Sequence, residues 1–156
     1  MTSHILFYSK SKSDIGKLLS NFSKSEIEIL DVKFKSVENA FQACKFLLTN
    51  KPEIFEKLTN VSPLEAKQMG SKSGMKKLGC EIDIECWNKY NVMIMESLLM
   101  GGYVFDKQFQ NTIDELNANN VLLYHFERSG AKLFWGGYIN KDGKFVGNNM
   151  LGKILM

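Results

Sequence analysis

Glu38, Gln42 and Lys45 recur at i, i+4 and i+7, the spacing that stacks side chains on one face of a helix. A carboxylate, an amide and an amine that project together can converge on one ligand. The carboxylate can steady an oxocarbenium-like transition state or activate water. The amine can attack a carbonyl carbon and form a Schiff base. The same pattern also fits the solvated outer face of an amphipathic helix, with Glu38 and Lys45 too far apart to pair directly.

Other segments carry options of their own. Lys132-Leu133-Phe134-Trp135-Gly136-Gly137 sets a Trp before two glycines. That is either packing beside a turn or an aromatic wall next to backbone that approaches a ligand closely. Gly147-Asn148-Asn149-Met150-Leu151-Gly152 is either a plain turn or a place where an Asn amide holds a ribose hydroxyl or a base edge. Lys72, Lys76 and Lys77 form a small basic cluster, read as a solvated loop or as a phosphate clamp. His4 and His125 lack ligand spacing, and the cysteines at 44, 80 and 86 are odd in number with no metal-site spacing, so neither metal nor cofactor is expected. Cys44 falls on the apolar side of its helix and is expected in the core. There is no P-loop, and no G-x-G-x-x-G follows a strand.

The elements that must position these residues follow from periodicity and punctuation. Val37, Phe41, Cys44 and Leu48 give the apolar stripe of a helix from Val37 to Leu48. His4 to Tyr8 fits a short buried strand, Lys10 to Lys17 an exposed loop, and Ile27 to Phe34 a strand pair or hairpin. Ser62-Pro63-Leu64-Glu65 is a helix start, with Ser62 as cap and Pro63 at the first position; Pro52 also reads as a helix start. Asp83 caps a helix expected to run to about Met100, where Gly101-Gly102 stops it. A further helix is expected over 106–119, a strand over Val121 to Phe126, turns through the glycines from 136 to 147, and a short helix or strand from Asn149 to the end. Helices outweigh strands and the two are segregated, which predicts an α+β class: one compact, predominantly helical domain over 1–156 with a small β-sheet.

Composition agrees. Of 156 residues, 44% are hydrophobic and 24% charged, as in ordinary globular domains, which excludes a disordered tail or a disulfide-stapled miniprotein. The net charge of +3 permits a phosphate-bearing ligand. The most apolar stretch, Tyr90 to Phe105, contains Glu96 and is too short and polar for a membrane span. The N-terminus has no signal-peptide pattern. Free thiols suit a reducing cytosol, so a cytoplasmic location is expected.

Taken in order, these pieces resemble the NADAR, or YbiA-like, family. Leu19-Ser20-Asn21-Phe22 looks like its "LSNF" opening, and Glu38-Asn39-Ala40-Phe41-Gln42-Ala43-Cys44-Lys45-Phe46 like its "E-H-x-x-Q-x-x-K-F" helix. Ser62-Pro63 through Ala66 with Met69-Gly70, Trp87 with Val92-Met93, Trp135-Gly136, and Gly147-x-Asn149-x-Leu151-Gly152 with Leu155-Met156 look like the later motifs. The chain departs at Asn39, where the family has His; at Ser71, where it has Arg; and at Lys132, where it usually has Asp.

The resemblance implies a YbiA-like fold and hydrolysis of an N-glycosidic bond to ribose. Glu38 and Lys45 would be the reactive pair and Gln42 a positioner. Trp87 and Trp135 would wall the ligand, and Asn21 and Asn149 would bind its polar groups. Ser20, Phe22 and Asn39 would join them from the matched motifs, as would Gly136 and the upstream glutamate, Glu127. The small basic excess and the Lys72 to Lys77 cluster make ADP-ribose on a nucleobase the preferred substrate among those the resemblance implies, with ADP-ribosylated DNA as the expected partner and no membrane. The alternatives are phosphorylated riboflavin-biosynthesis intermediates, or a non-catalytic ADP-ribose or nucleotide-binding module.

Overall fold

A computed structural model describes residues 3–127 and 133–156; Lys132 lies outside them. The element order is β1 (His4–Phe7), α1 (Asp14–Leu18), β2 (Ile27–Ile29), β3 (Val32–Phe34), α2 (Val37–Phe46), α3 (Ile54–Lys57), α4 (Pro63–Met69), α5 (Lys72–Lys77), α6 (Ile84–Phe105), α7 (Lys107–Ala118), β4 (Leu122–His125), β5 (Tyr138–Ile139), β6 (Phe145–Val146) and α8 (Met150–Leu155). Helices dominate the described residues and the strands form two-stranded pairs, so the class is α+β and predominantly helical, as the sequence predicts. No helix among the described residues is long and apolar enough to cross a membrane.

The chain divides into two compact units, one of Asn21–Phe105 and one of the chain up to Ser20 with Asp106–Met156. In the first, α2 is the central element and packs against α3, α4 and α6. Its apolar side chains Ala40, Ala43 and Phe46 are fully enclosed with Phe34, Leu58 and Ala66, and each large one removed from water contributes about 1.5–3 kcal/mol. The helix starts are fixed by short polar caps: Ser36 accepts from Asn39 N at 3.1 Å, Ser62 from Glu65 N at 3.1 Å, and Asp83 from Cys86 N at 3.1 Å. Each satisfies an amide that has no partner inside its helix. Pro63 sits in the first turn of α4, whereas Pro52 precedes α3, whose N-cap is Glu53.

In the second unit β1 and β4 run parallel, His4 opposite Leu122 through Phe7 opposite His125. Parallel strands need a long connection, and the rest of the chain between them supplies it. α1 packs on β1 and α8 on β4, around Phe7, Leu19, Leu123 and Leu151.

Three expectations are corrected. The segment from Lys10 is not an exposed loop throughout. Ser11 is buried, its Oγ donating to Leu6 O at 2.8 Å, and α1 follows behind the cap Ser13. Gly101-Gly102 does not stop α6, which continues to Phe105. A helical glycine costs only about 1 kcal/mol, and the buried Leu98 and Leu99 just before the pair offset it. Asp106, as the cap of α7, follows that helix end. Finally, the glycine segment contains a hairpin, β5 with β6, in addition to turns.

Candidate active site

The site is built on the first turns of α2. Ser36 caps the helix and donates its hydroxyl to Asn39 Oδ1 at 2.6 Å. Asn39 Nδ2 then donates to Leu58 O and to Val61 O, each at 2.9 Å. Asn39 is 0% exposed and both its amide hydrogens are used. It braces α2 against the chain around α3 and has no amide hydrogen left over for a ligand.

Glu38, one residue earlier, is 8% exposed. The solvated-face reading of the Glu38–Gln42–Lys45 pattern is therefore overturned at its first member. Asn21 O accepts from Glu38 N at 3.0 Å, and Gln42 Nε2 donates to Glu38 Oε1 at 3.0 Å. Burial raises the Glu38 carboxyl above the usual range, opposed by the Gln42 hydrogen bond and by the positive charges of Lys67 and Lys45. Desolvation penalises the charged form, so the proton is held more tightly.

Lys45 lies about 10 Å further along the helix axis, and its side chain leans back toward the N-terminal end. It is partly buried, with Nζ donating to Gly70 O at 2.6 Å and lying 5.6 Å from the centre of the Trp87 ring. Burial lowers its ammonium pKa, while Glu38 raises it. The two groups are thus pushed in opposite directions by the same enclosure, a pattern typical of acid–base sites. Cys44, pushed up to about 11 by burial, is a thiol rather than a thiolate at neutral pH.

Asn21 and Phe22 flank the same helix start. Asn21 is buried; its Nδ2 approaches Met95 Sδ at 3.5 Å, and its Oδ1 has no hydrogen-bond partner among the described residues. An enclosed acceptor left unpaired costs about 1–3 kcal/mol, and a hydroxyl donor from a ligand would recover it. Phe22 is half-buried and carries the Lys67 ammonium 5.8 Å from its ring centre.

Two residues here escape a sequence-level search for chemistry. Gly70 reads as a helix terminator and does end α4. It is also a packing necessity, because a Cβ at 70 would run into the Gln42 side-chain oxygen, while its carbonyl holds Lys45. Lys67 reads as a surface lysine; only the fold brings it beside Glu38 and Phe22.

Trp87 is buried against Phe41, ring centres 4.9 Å apart, beneath the Lys45 amine. It is core packing that also meets the Lys45 ammonium. Trp87→Ala should lower stability by about 3–5 kcal/mol, measured by chemical denaturation, and should loosen Lys45 as well. A loss under 1 kcal/mol would show the indole to be a wall only. Trp135→Ala, at a half-buried indole edge-on to Phe134 at 5.0 Å, should cost less.

The remaining candidates lie in the other unit. Ser20 is buried. Glu127 Oε2 accepts from Gly136 N at 3.0 Å. Gly136 can carry no side chain, since a Cβ would press into His125 O. Asn149 adopts the left-handed conformation at φ 50°, which Asn tolerates better than most residues. Its Nδ2 donates to Leu123 O and its Oδ1 accepts from His125 N, both at 2.9 Å. Its amide thus substitutes for a strand partner along β4. Trp135 O accepts from Leu151 N at 3.1 Å. Glu127, Gly136 and Asn149 are linked by hydrogen bonds at the end of β4, with Gly136 O accepting from Asn149 N at 3.2 Å. Asn149, expected to bind polar groups of a ligand, spends its carbonyl and at least one amide hydrogen on that strand.

A buried carboxylate and a half-buried amine thus share one helix within an α+β frame. The NADAR domain family model matches residues 6–156, and the chain belongs to that family. Family membership supports hydrolase chemistry of the N-glycosidase kind in general. The NMR structure of the E. coli protein YbiA superposes with a TM-score of 0.69 at 23% identity, covering 99% of this chain and 82% of that one; the likeness is one of fold. No curated protein sequence matches the chain significantly.

Proposed function

We propose that the protein hydrolyses the ribose C1–N bond of a phosphorylated ribosyl compound, and that its preferred substrate is ADP-ribose attached to a nucleobase of DNA. The observation that carries this reading is the Glu38–Lys45 face, with Glu38 buried and Lys45 half-buried, where desolvation favours the neutral form of the acid and of the amine. The C1–O4′ bond breaks as the base nitrogen's lone pair forms C1=N and Glu38 protonates the ring oxygen; the neutral Lys45 amine then adds to C1, forming the C1–Nζ bond and returning a proton to the Glu38 carboxylate. The base nitrogen departs with its bonding pair and takes a proton from Glu38. The C1=Nζ Schiff base then adds water, with the Glu38 carboxylate as base. The sugar leaves, and amine and acid are restored.

The preference for nucleic acid is supported by the net charge of +3 and by Lys72, Lys76 and Lys77, which are exposed on α5 and available to phosphates. The test is to incubate the protein with an ADP-ribosylated oligonucleotide and with phosphorylated riboflavin intermediates. Release of ADP-ribose from the oligonucleotide is the expected result. Cleavage of the riboflavin intermediates alone reassigns the substrate. Tight binding without cleavage makes the protein a binding module.

A further inference from the structure

We propose that Lys67 reads the phosphate of the ribosyl substrate, and so sets the specificity of the site for phosphorylated over unphosphorylated sugars. The inference rests on the glycosidase reading for its substrate class, but its geometry stands alone. Lys67 follows Ala66, which is wholly buried in the helix α4 that packs against α2, so its Cα is anchored on a helix that lies against the one carrying Glu38 and Lys45. Its ammonium is exposed and lies 5.8 Å from the centre of the Phe22 ring. That contact holds the cation without neutralising it. Among the described residues no carboxylate lies within ion-pair distance of its Nζ.

Lys45 and Lys72 differ from it. Lys45 is engaged with Gly70 O. Lys72 starts α5 beyond Ser71, whose hydroxyl is spent as that helix's cap, accepting from Gly74 N at 3.0 Å and donating to Gln68 O at 2.6 Å. Ser71 therefore supplies no charge at the position where the family has Arg. Lys67 is near enough for its charge to act on the Glu38 carboxyl, ahead of Lys45 in effect. A sugar whose C1 faces Glu38 thus places its 5′ substituent within the reach of an unpaired, aromatic-steadied cation. A strongly hydrated point charge on a flexible stem suits a phosphate in several orientations.

The test is the affinity for ADP-ribose, measured by calorimetry on the whole protein at low salt. Lys67→Met keeps an apolar stem over Phe22 and removes the charge. It should bind ADP-ribose about tenfold more weakly, with an unchanged melting temperature, and Lys67→Arg should restore most of the loss. In turnover the Met variant should raise KM for the phosphorylated substrate several-fold more than KM for its phosphatase-trimmed counterpart. Equal affinity of wild type and Lys67→Met overturns the proposal, as does failure of the wild type to bind ADP-ribose. So does a rise in KM that is equal for both substrates, which would leave Lys67 no selective part in holding the phosphate. Lys67-dependent binding without hydrolysis of any substrate would leave this inference standing and sink the glycosidase reading alone.

Discussion

Glu38→Gln should reduce kcat/KM by a factor on the order of 10²–10⁴, the usual loss when a positioned acid–base group is removed, while the melting temperature holds or rises. Gln is nearly isosteric and can still accept the Gln42 hydrogen bond, so the helix face stays in place. It can neither donate a proton to the departing base nor steady a cation. The stability half of the prediction follows from burial. The folded-state pKa of Glu38 is raised, so its contribution to stability is fully present below the unfolded-state pKa and is lost as pH rises through the folded one. At neutral pH the wild type therefore carries a cost that the Gln variant lacks, and the variant's advantage should shrink toward acid. Melts at about pH 4 and pH 8 check the sign. A Gln variant that is less stable at pH 8 and equal at pH 4 would mean that Glu38 is a structural anion.

Lys45→Arg should also abolish turnover, by about three orders of magnitude or about 4 kcal/mol of transition-state stabilisation. Arg keeps the charge but cannot be deprotonated in a protein and cannot form a Schiff base. Lys45 is the one group of the face whose burial depresses an amine pKa. Its hydrogen bond to Gly70 O and its place over Trp87 fix where the lone pair must emerge. Borohydride added during turnover should leave a reduced sugar adduct on Lys45, found by peptide mass spectrometry. An active Arg variant with no adduct would return the reaction to water attack assisted by Glu38.

Much of this arrangement is legible in the residues, and the part that is not has a common cause. The spacing of Glu38, Gln42 and Lys45 is local, and it places them on one face of α2 as expected. Whether that face is wet or dry is decided by α4 and α6, tens of residues away, so the burial that shifts Glu38 and Lys45 is invisible in the pattern. Caps such as Ser62 and Asp83 are readable because they act within one turn. The hairpin of β2 and β3 is readable from its alternation, yet its turn is not. Leu30 and Asp31 sit at φ 50° and 64°, the geometry of a primed two-residue turn usually made by Asn-Gly, with Leu30 72% exposed. Asn39 and Asn149 stand out as letters of a motif, but their work, bracing α2 and pairing with β4, exists only once distant carbonyls arrive. Gly70 and Lys67 carry no local signal of their roles for the same reason.

The central claim is that this face breaks a ribose C1–N bond. The most direct measurement is mass spectrometry of an ADP-ribosylated oligonucleotide after incubation with wild type and with Glu38→Gln. Wild type should return the unmodified oligonucleotide and free ADP-ribose, and the variant should leave the modified strand intact. A wild-type reaction in which neither this strand nor a phosphorylated riboflavin intermediate loses its glycosidic bond would contradict the account.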